Sequence, residues 1–155
     1  MYTVNAEYYL SQGISKHNIG NYAGAIQDFD IAIFIEPSLA LAYYYRAEAK
    51  SWLNKDFVDD YLRTIELAPE FLEVYDSLGV HYLSSGFADE AEKIYKMALE
   101  VSPNFIDAYF GLAKVCLVNS DKKQAEVYAT KAIQVKPSDF RSEERRVGKE
   151  CRSRW

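Results

Sequence analysis

Two histidines, His17 and His81, and two cysteines, Cys116 and Cys151, are the side chains that could serve as nucleophile, base or soft metal ligand near neutral pH. Such chemistry needs them beside one another or beside carboxylates. No Cys or Asp/Glu–His spacing around His81 suggests a metal site or a triad. The seven glycines are scattered, so no glycine-rich loop is present to cradle a phosphate. Two cysteines make no disulfide framework. Cys116 falls on the packing face of a helical pattern and reads as a buried structural thiol. The acidic pairs Asp59-Asp60 and Asp89-Glu90 fall near helix starts, where they complement the helix dipole. No catalytic residue, metal ligand or cofactor site is therefore expected, and the chain is read as a non-enzyme.

The elements that would position any site come from a period. Prolines stand at 37, 69, 103 and 137, each closing a similar segment: IAIFIEP, RTIELAP, KMALEVSP, TKAIQVKP. Proline just past a helical pattern is a stop signal. Between prolines, apolar residues recur at three and four residue steps. Val74, Leu78 and Tyr82 make one stripe, and Ala91, Ile94, Tyr95, Ala98 and Val101 another. Ser84-Ser85-Gly86 breaks them, as do Ile19-Gly20-Asn21 and Asn119-Ser120-Asp121. Each unit thus predicts two amphipathic helices, A and B, joined by a tight turn. Four units in register form a repeat array, in which neighbours bury what one hairpin cannot.

The units resemble tetratricopeptide repeats over about 5–139. In that family helix A carries an early aromatic, then Leu-Gly, then Tyr; helix B carries small, aromatic, small, and ends before Pro. The third unit has Tyr75, Leu78-Gly79, Tyr82, Gly86, Ala91, Tyr95, Ala98 and Pro103. The first has Tyr9, Gly13, Gly20, Ala25, Phe29, Ala32 and Pro37. The fourth has Tyr109, Leu112-Ala113, Ala125, Ala132 and Pro137, with Ala129 where helix B usually has an aromatic. The second has Tyr43, Arg46-Ala47, Tyr61 and Pro69, with Phe57 and Thr64 where small residues are usual. It is two residues short, which predicts a shortened, distorted turn. The resemblance implies an all-α, right-handed α-solenoid of four repeats: 5–37, 38–69, 70–103 and 104–137, with 138–140 opening a fifth. Small Gly13, Ala47, Gly79 and Ala113 let helices approach, and Tyr9, Tyr43, Tyr75 and Tyr109 fill the space between them.

The resemblance also implies a concave face lined by A helices, which in this family usually receives a peptide. The side chains two, five, nine and twelve places into each A helix would face it. These are Glu7, Leu10, Ile14 and His17; Leu41, Tyr44, Glu48 and Ser51; Glu73, Asp76, Val80 and Leu83; and Asp107, Phe110, Lys114 and Leu117. Acids outnumber the single Lys114, with apolar and aromatic groups among them. Such an acidic, aromatic-lined groove suits a basic, partly hydrophobic protein segment. The acids equally fit a plain solvated face. Capture of a C-terminal carboxylate, known in the family, is not expected, because Leu10 and Ile14 stand where Lys or Asn would be needed. A third reading is architectural: a piece of a longer array, or self-association through an uncapped last repeat.

Charge and hydropathy narrow the partners. The chain carries 18 Lys/Arg against 23 Asp/Glu. Its last fifteen residues, RSEERRVGKECRSRW, hold six of those bases and three of the acids, leaving 12 against 20 before Arg141. A body with that balance disfavours nucleic acid. No apolar run is long enough for a membrane span, and no signal segment is visible. A cytosolic protein is expected. The tail of 141–155 breaks the period and matches, residue for residue, the conceptual translation of a common sequencing-library adapter. It is read as non-native, with the natural chain interrupted near Phe140.

Overall fold

The structure, a computed structural model, describes residues 5–135. Pro137, the expected opening of a fifth repeat at 138–140, and the tail with Cys151 and Trp155 lie outside them. The described residues form eight helices and no strand. In order they are α1 (Ala6–Asn18), α2 (Tyr22–Ile35), α3 (Ala40–Trp52), α4 (Val58–Leu67), α5 (Leu72–Ser84), α6 (Ala88–Val101), α7 (Ile106–Val118) and α8 (Lys122–Val135). Odd-numbered helices are the A helices and even-numbered ones the B helices. The chain divides into two compact units inside α5, the first ending at Leu78 and the second starting at Gly79.

Side-chain caps fix the starts of α1, α2 and α8. The side chains of Asn5, Asn21 and Asp121 accept the N–H groups of Tyr8, Gly24 and Gln124 at 2.9, 3.0 and 3.0 Å. The four A helices end in one way. Gly20, Asn54, Gly86 and Ser120 take left-handed backbone, with φ of 79, 53, 84 and 63°. The next residue then donates back along the chain: Asn21 to Lys16, Lys55 to Lys50, Phe87 to Tyr82 and Asp121 to Cys116, at 2.8 to 3.0 Å. This is a Schellman ending, which satisfies carbonyls the helix leaves open.

The expectation of a shortened turn in the second hairpin is corrected. Five residues, 53–57, separate α3 from α4, against three in 19–21. The shortening falls on α4 instead, which has 10 residues where α2, α6 and α8 have 14. Phe57 is too large for the close approach that Ala25 and Ala91 make at the same place. It stays outside the helix and sets its ring edge-on to Tyr61, 5.4 Å between centroids.

In the first unit α1 packs on α2, α2 on α3, α3 on α4, and α1 also touches α3. Fully buried Ala25, Phe29 and Ala49 make its centre, with Leu10, Ile14, Tyr22, Ile26 and Tyr45 packed around them. In the second unit α7 packs against α6 and α8. Its core includes Ile94, Tyr95, Ala98, Leu112 and Val115.

One spacing ties the hairpins together. In the first and third hairpins the helix B aromatic faces a small residue sixteen places earlier, and in the first three it meets a residue sixteen places later. Phe29 covers Gly13 so closely that an added Cβ would lie 2.4 Å from its ring. Phe29 also stacks on Tyr45 at 6.1 Å. Tyr95 lies equally close over both Gly79 and Gly111. Tyr61 lies beside Ser77, whose hydroxyl opposes the rise of its phenol pKa. The helix A tyrosines add a second tie. Tyr43, Tyr75 and Tyr109 donate their hydroxyls to the carbonyls of Pro37, Pro69 and Pro103, at 3.1, 2.9 and 2.8 Å.

Candidate peptide-binding face

Tyr44 on α3 is the centre of the candidate face in the first unit. It is half-buried, and its ring contacts those of Tyr45, Tyr61 and Phe71 at 5.3, 6.0 and 4.7 Å between centroids. Glu48, one turn along, accepts the Tyr61 hydroxyl. Burial, then the charge of Glu48, push the Tyr44 phenol up; a hydrogen bond with Ser77 opposes them, and Glu73 adds to the rise. Burial, then the bond to Glu48, push the Tyr61 phenol far above its ordinary range. The structure therefore brings Tyr44, Glu48 and Glu73 together, and adds Tyr61, Phe71 and Ser77.

The raised phenols make a testable pH dependence. Both stay protonated in the folded chain where an unfolded tyrosine, with an ordinary pKa of about 10, ionises. Their contribution is complete below that value and is lost as pH rises above it. Thermal unfolding followed from pH 8 upward should show stability falling beyond about pH 10. Tyr61→Phe should flatten that fall and cost about 1 kcal/mol at neutral pH through its lost hydrogen bond. An unchanged alkaline slope in the variant would contradict the assignment.

The other candidate residues are placed differently. Glu7 and Glu73 are exposed, and Asp76 is half-buried. Leu10 and Ile14 are half-buried and pack against the Phe29 core. His17 sits edge-on to Tyr22 and Tyr45 at 5.2 and 6.1 Å, with Nε2 buried and without a hydrogen-bond partner. Tyr22 in turn stacks on Trp52, with planes 2° apart. Leu41 is exposed and Ser51 half-buried, its hydroxyl turned back to the Glu48 carbonyl. In the second unit Val80, Asp107, Phe110, Lys114 and Leu117 are exposed and Leu83 is half-buried.

Two readings of single residues change. Cys116 is half-exposed, not buried. Burial, then Asp121 and Glu92, push its thiol up, which disfavours the reactive thiolate. Asp60 does more than complement a helix dipole. Its nearly buried carboxylate accepts Arg46 Nε and Nη2 at 3.0 and 2.6 Å and Lys50 Nζ at 2.7 Å. Arg46 Nη1 also reaches Asp30 at 2.7 Å. Lys16 and Asp28 form the equivalent pair one hairpin earlier, 2.7 Å apart, though off the line a hydrogen bond needs. That recurrence, Lys16/Asp28 and Lys50/Asp60, was the sequence signal for this network. Among the described residues, no three His, Cys, Asp or Glu side chains could jointly hold a metal. No helix among them is long and apolar enough to cross a membrane.

Helix hairpins with left-handed A-helix endings, small residues under helix B aromatics and a period near 34 define an all-α fold of tetratricopeptide type. Solved structures share it. The crystal structure of MamA protein superposes with a TM-score of 0.76 at 26% identity, covering 84% of this chain and 73% of that one. TTC0263, a thermophilic TPR protein of Thermus thermophilus, gives 0.64 at 18% identity, covering 86% and 75%. The first TPR of Spaghetti (RPAP3), bound to the HSP90 peptide SRMEEVD, gives 0.67 at 23% identity, covering 75% and 94%. No family model and no curated protein sequence matches the chain.

Proposed function

We propose that this chain is a non-catalytic protein-interaction scaffold whose A-helix faces take a basic, partly apolar peptide segment. The observation that carries the reading is the half-buried Tyr44 ring, framed by Tyr45, Tyr61 and Phe71 and flanked by Glu48 and Glu73. An aromatic anchor site beside carboxylates favours an apolar side chain neighbouring Lys or Arg. The fold carries a peptide in the RPAP3 structure, which supports the role in general. That peptide, SRMEEVD, is acidic at its end; the carboxylates here select the opposite charge. Leu10 and Ile14, packed on the core, offer no cation for a terminal carboxylate.

Fluorescence anisotropy with a labelled peptide of alternating Arg and Leu, and with its Glu-for-Arg counterpart, tests this. The basic peptide should bind, with affinity falling as salt rises. Glu73→Lys with Asp76→Lys should weaken it about tenfold or more. Equal binding by the double variant, or preference for the acidic peptide, would refute the acidic face.

A second reading, stacking on further copies or further repeats, draws on α8. Ile133 there is 70% exposed and Val127 is 45% exposed. Light scattering across a concentration series distinguishes the two: a constant monomer mass argues against self-stacking.

A further inference from the structure

The outward face of α2 differs in kind from its counterparts. Phe34 is 87% exposed, with Ile31 at 38% and Ile35 at 44%. Residues three and four apart lie side by side on a helix, so these make one apolar patch. Hairpin spacing supplies an internal control. Phe34 corresponds to Glu66, Glu100 and Gln134 on the later B helices, and Ile31 to Arg63, Met97 and Lys131. The second hairpin uses those places for an exposed ion pair, Arg63 Nη1 to Glu66 Oε2 at 2.8 Å. The first hairpin instead keeps an aromatic in water, where it contributes nothing to the core.

The surroundings of the patch are acidic. Tyr22–Ile35 contains no Lys, Arg or His. Glu36 follows Ile35 exposed, and Asp30 borders Ile31 and Phe34 with its side chain 54% exposed, although Arg46 Nη1 holds its Oδ1 at 2.7 Å. The patch also sits at the C-terminal, negative end of the helix dipole, with no basic residue in the last turn to offset it. Two copies meeting through this face would bring like charges and two negative helix ends together. Three side chains also fall far short of the roughly 800 Å² each partner gives to a stable dimer. A single helix with an apolar stripe and basic borders meets both constraints.

We propose that Ile31, Phe34 and Ile35 form a second docking surface, which takes an amphipathic helix of a protein partner bordered by Lys or Arg. It is separate from the peptide-binding face on the A helices. The probe is a stapled helical peptide with a leucine stripe and lysine borders, titrated into the full chain, alongside the same peptide with glutamate borders. Ile31→Arg with Phe34→Glu installs the pair that Arg63 and Glu66 already form, so the helix is preserved, and circular dichroism verifies it. Phe34→Ala serves as the milder variant.

The lysine-bordered helix should bind the wild-type chain. Ile31→Arg/Phe34→Glu should weaken it about tenfold or more, and Phe34→Ala by a smaller factor. The same loss should appear when Ile31→Arg/Phe34→Glu is added to Glu73→Lys/Asp76→Lys, a background in which the A-helix face no longer holds a basic segment. The proposal is overturned by no binding by the wild type, by equal binding by both α2 variants, by preference for the glutamate-bordered helix, or by a concentration-dependent dimer that Ile31→Arg/Phe34→Glu dissolves. No binding in the Glu73→Lys/Asp76→Lys background would also overturn it while leaving the A-helix face standing.

Discussion

Gly111→Ala is expected to lower the melting temperature by several degrees, against the usual effect of replacing a helical glycine. On propensity alone the change gains about 1 kcal/mol. Packing outweighs it. The new methyl would lie 2.2 Å from Tyr95 Cζ and 2.4 Å from two further ring atoms. Tyr95 has little room to withdraw, because it is 1% exposed and already lies so close to Gly79 that a methyl added there would meet its ring at 2.4 Å. Overpacking of this kind costs about 1–3 kcal/mol, and more where nothing can shift. A net loss of about 2 kcal/mol is roughly 4–8 °C in a domain of this size. A double-mutant cycle isolates the cause. Tyr95→Leu should be destabilising alone, yet Gly111→Ala should cost much less in its background. If Gly111→Ala raises the melting temperature, the close approach is not real.

The second large effect concerns Arg46. Its guanidinium holds Asp60 through two hydrogen bonds and Asp30 through a third. Asp60 is 5% exposed, so Arg46→Ala leaves a nearly buried carboxylate with Lys50 as its remaining cation. Breaking a buried pair by removing one partner costs about 3–5 kcal/mol. Lys50 and the partial exposure of Arg46 reduce that to about 2–3 kcal/mol. Arg46→Lys should recover only part of it, since an ammonium cannot repeat the forked contact. Arg46→Met with Asp60→Leu should recover most, because no unpaired charge is left. Urea unfolding of the three variants gives the order. Equal loss in Arg46→Ala and the double variant would show that an unpaired buried charge does not set the cost.

Most of the fold was legible because its signals repeat. Proline at 37, 69 and 103, small residues at 13, 47, 79 and 113, and turns at 20, 86 and 120 each restate one hairpin. The second hairpin shows the limit. A two-residue deficit gives the amount of the shortening, but not whether loop or helix absorbs it. That was decided by the bulk of Phe57, which is a tertiary packing effect. The candidate face was legible in outline only. Helical register finds Tyr44 and Glu73, but it cannot show that Glu48 is tied to Tyr61 or that Leu10 turns toward Phe29. Those outcomes depend on neighbours sixteen or so residues away. The same holds for Asp60, whose role needed two cations on another helix.

The tyrosine-to-proline hydrogen bonds carry a kinetic consequence. Each links residues only six apart, across the connection between consecutive hairpins. The contacts joining one hairpin to the next are thus nearly as short in sequence as those within a hairpin. A chain held by such local closures has low contact order, so its search for the native state is brief. Order can begin at any hairpin and spread to the next, with Tyr43, Tyr75 and Tyr109 as the points where growth is handed on.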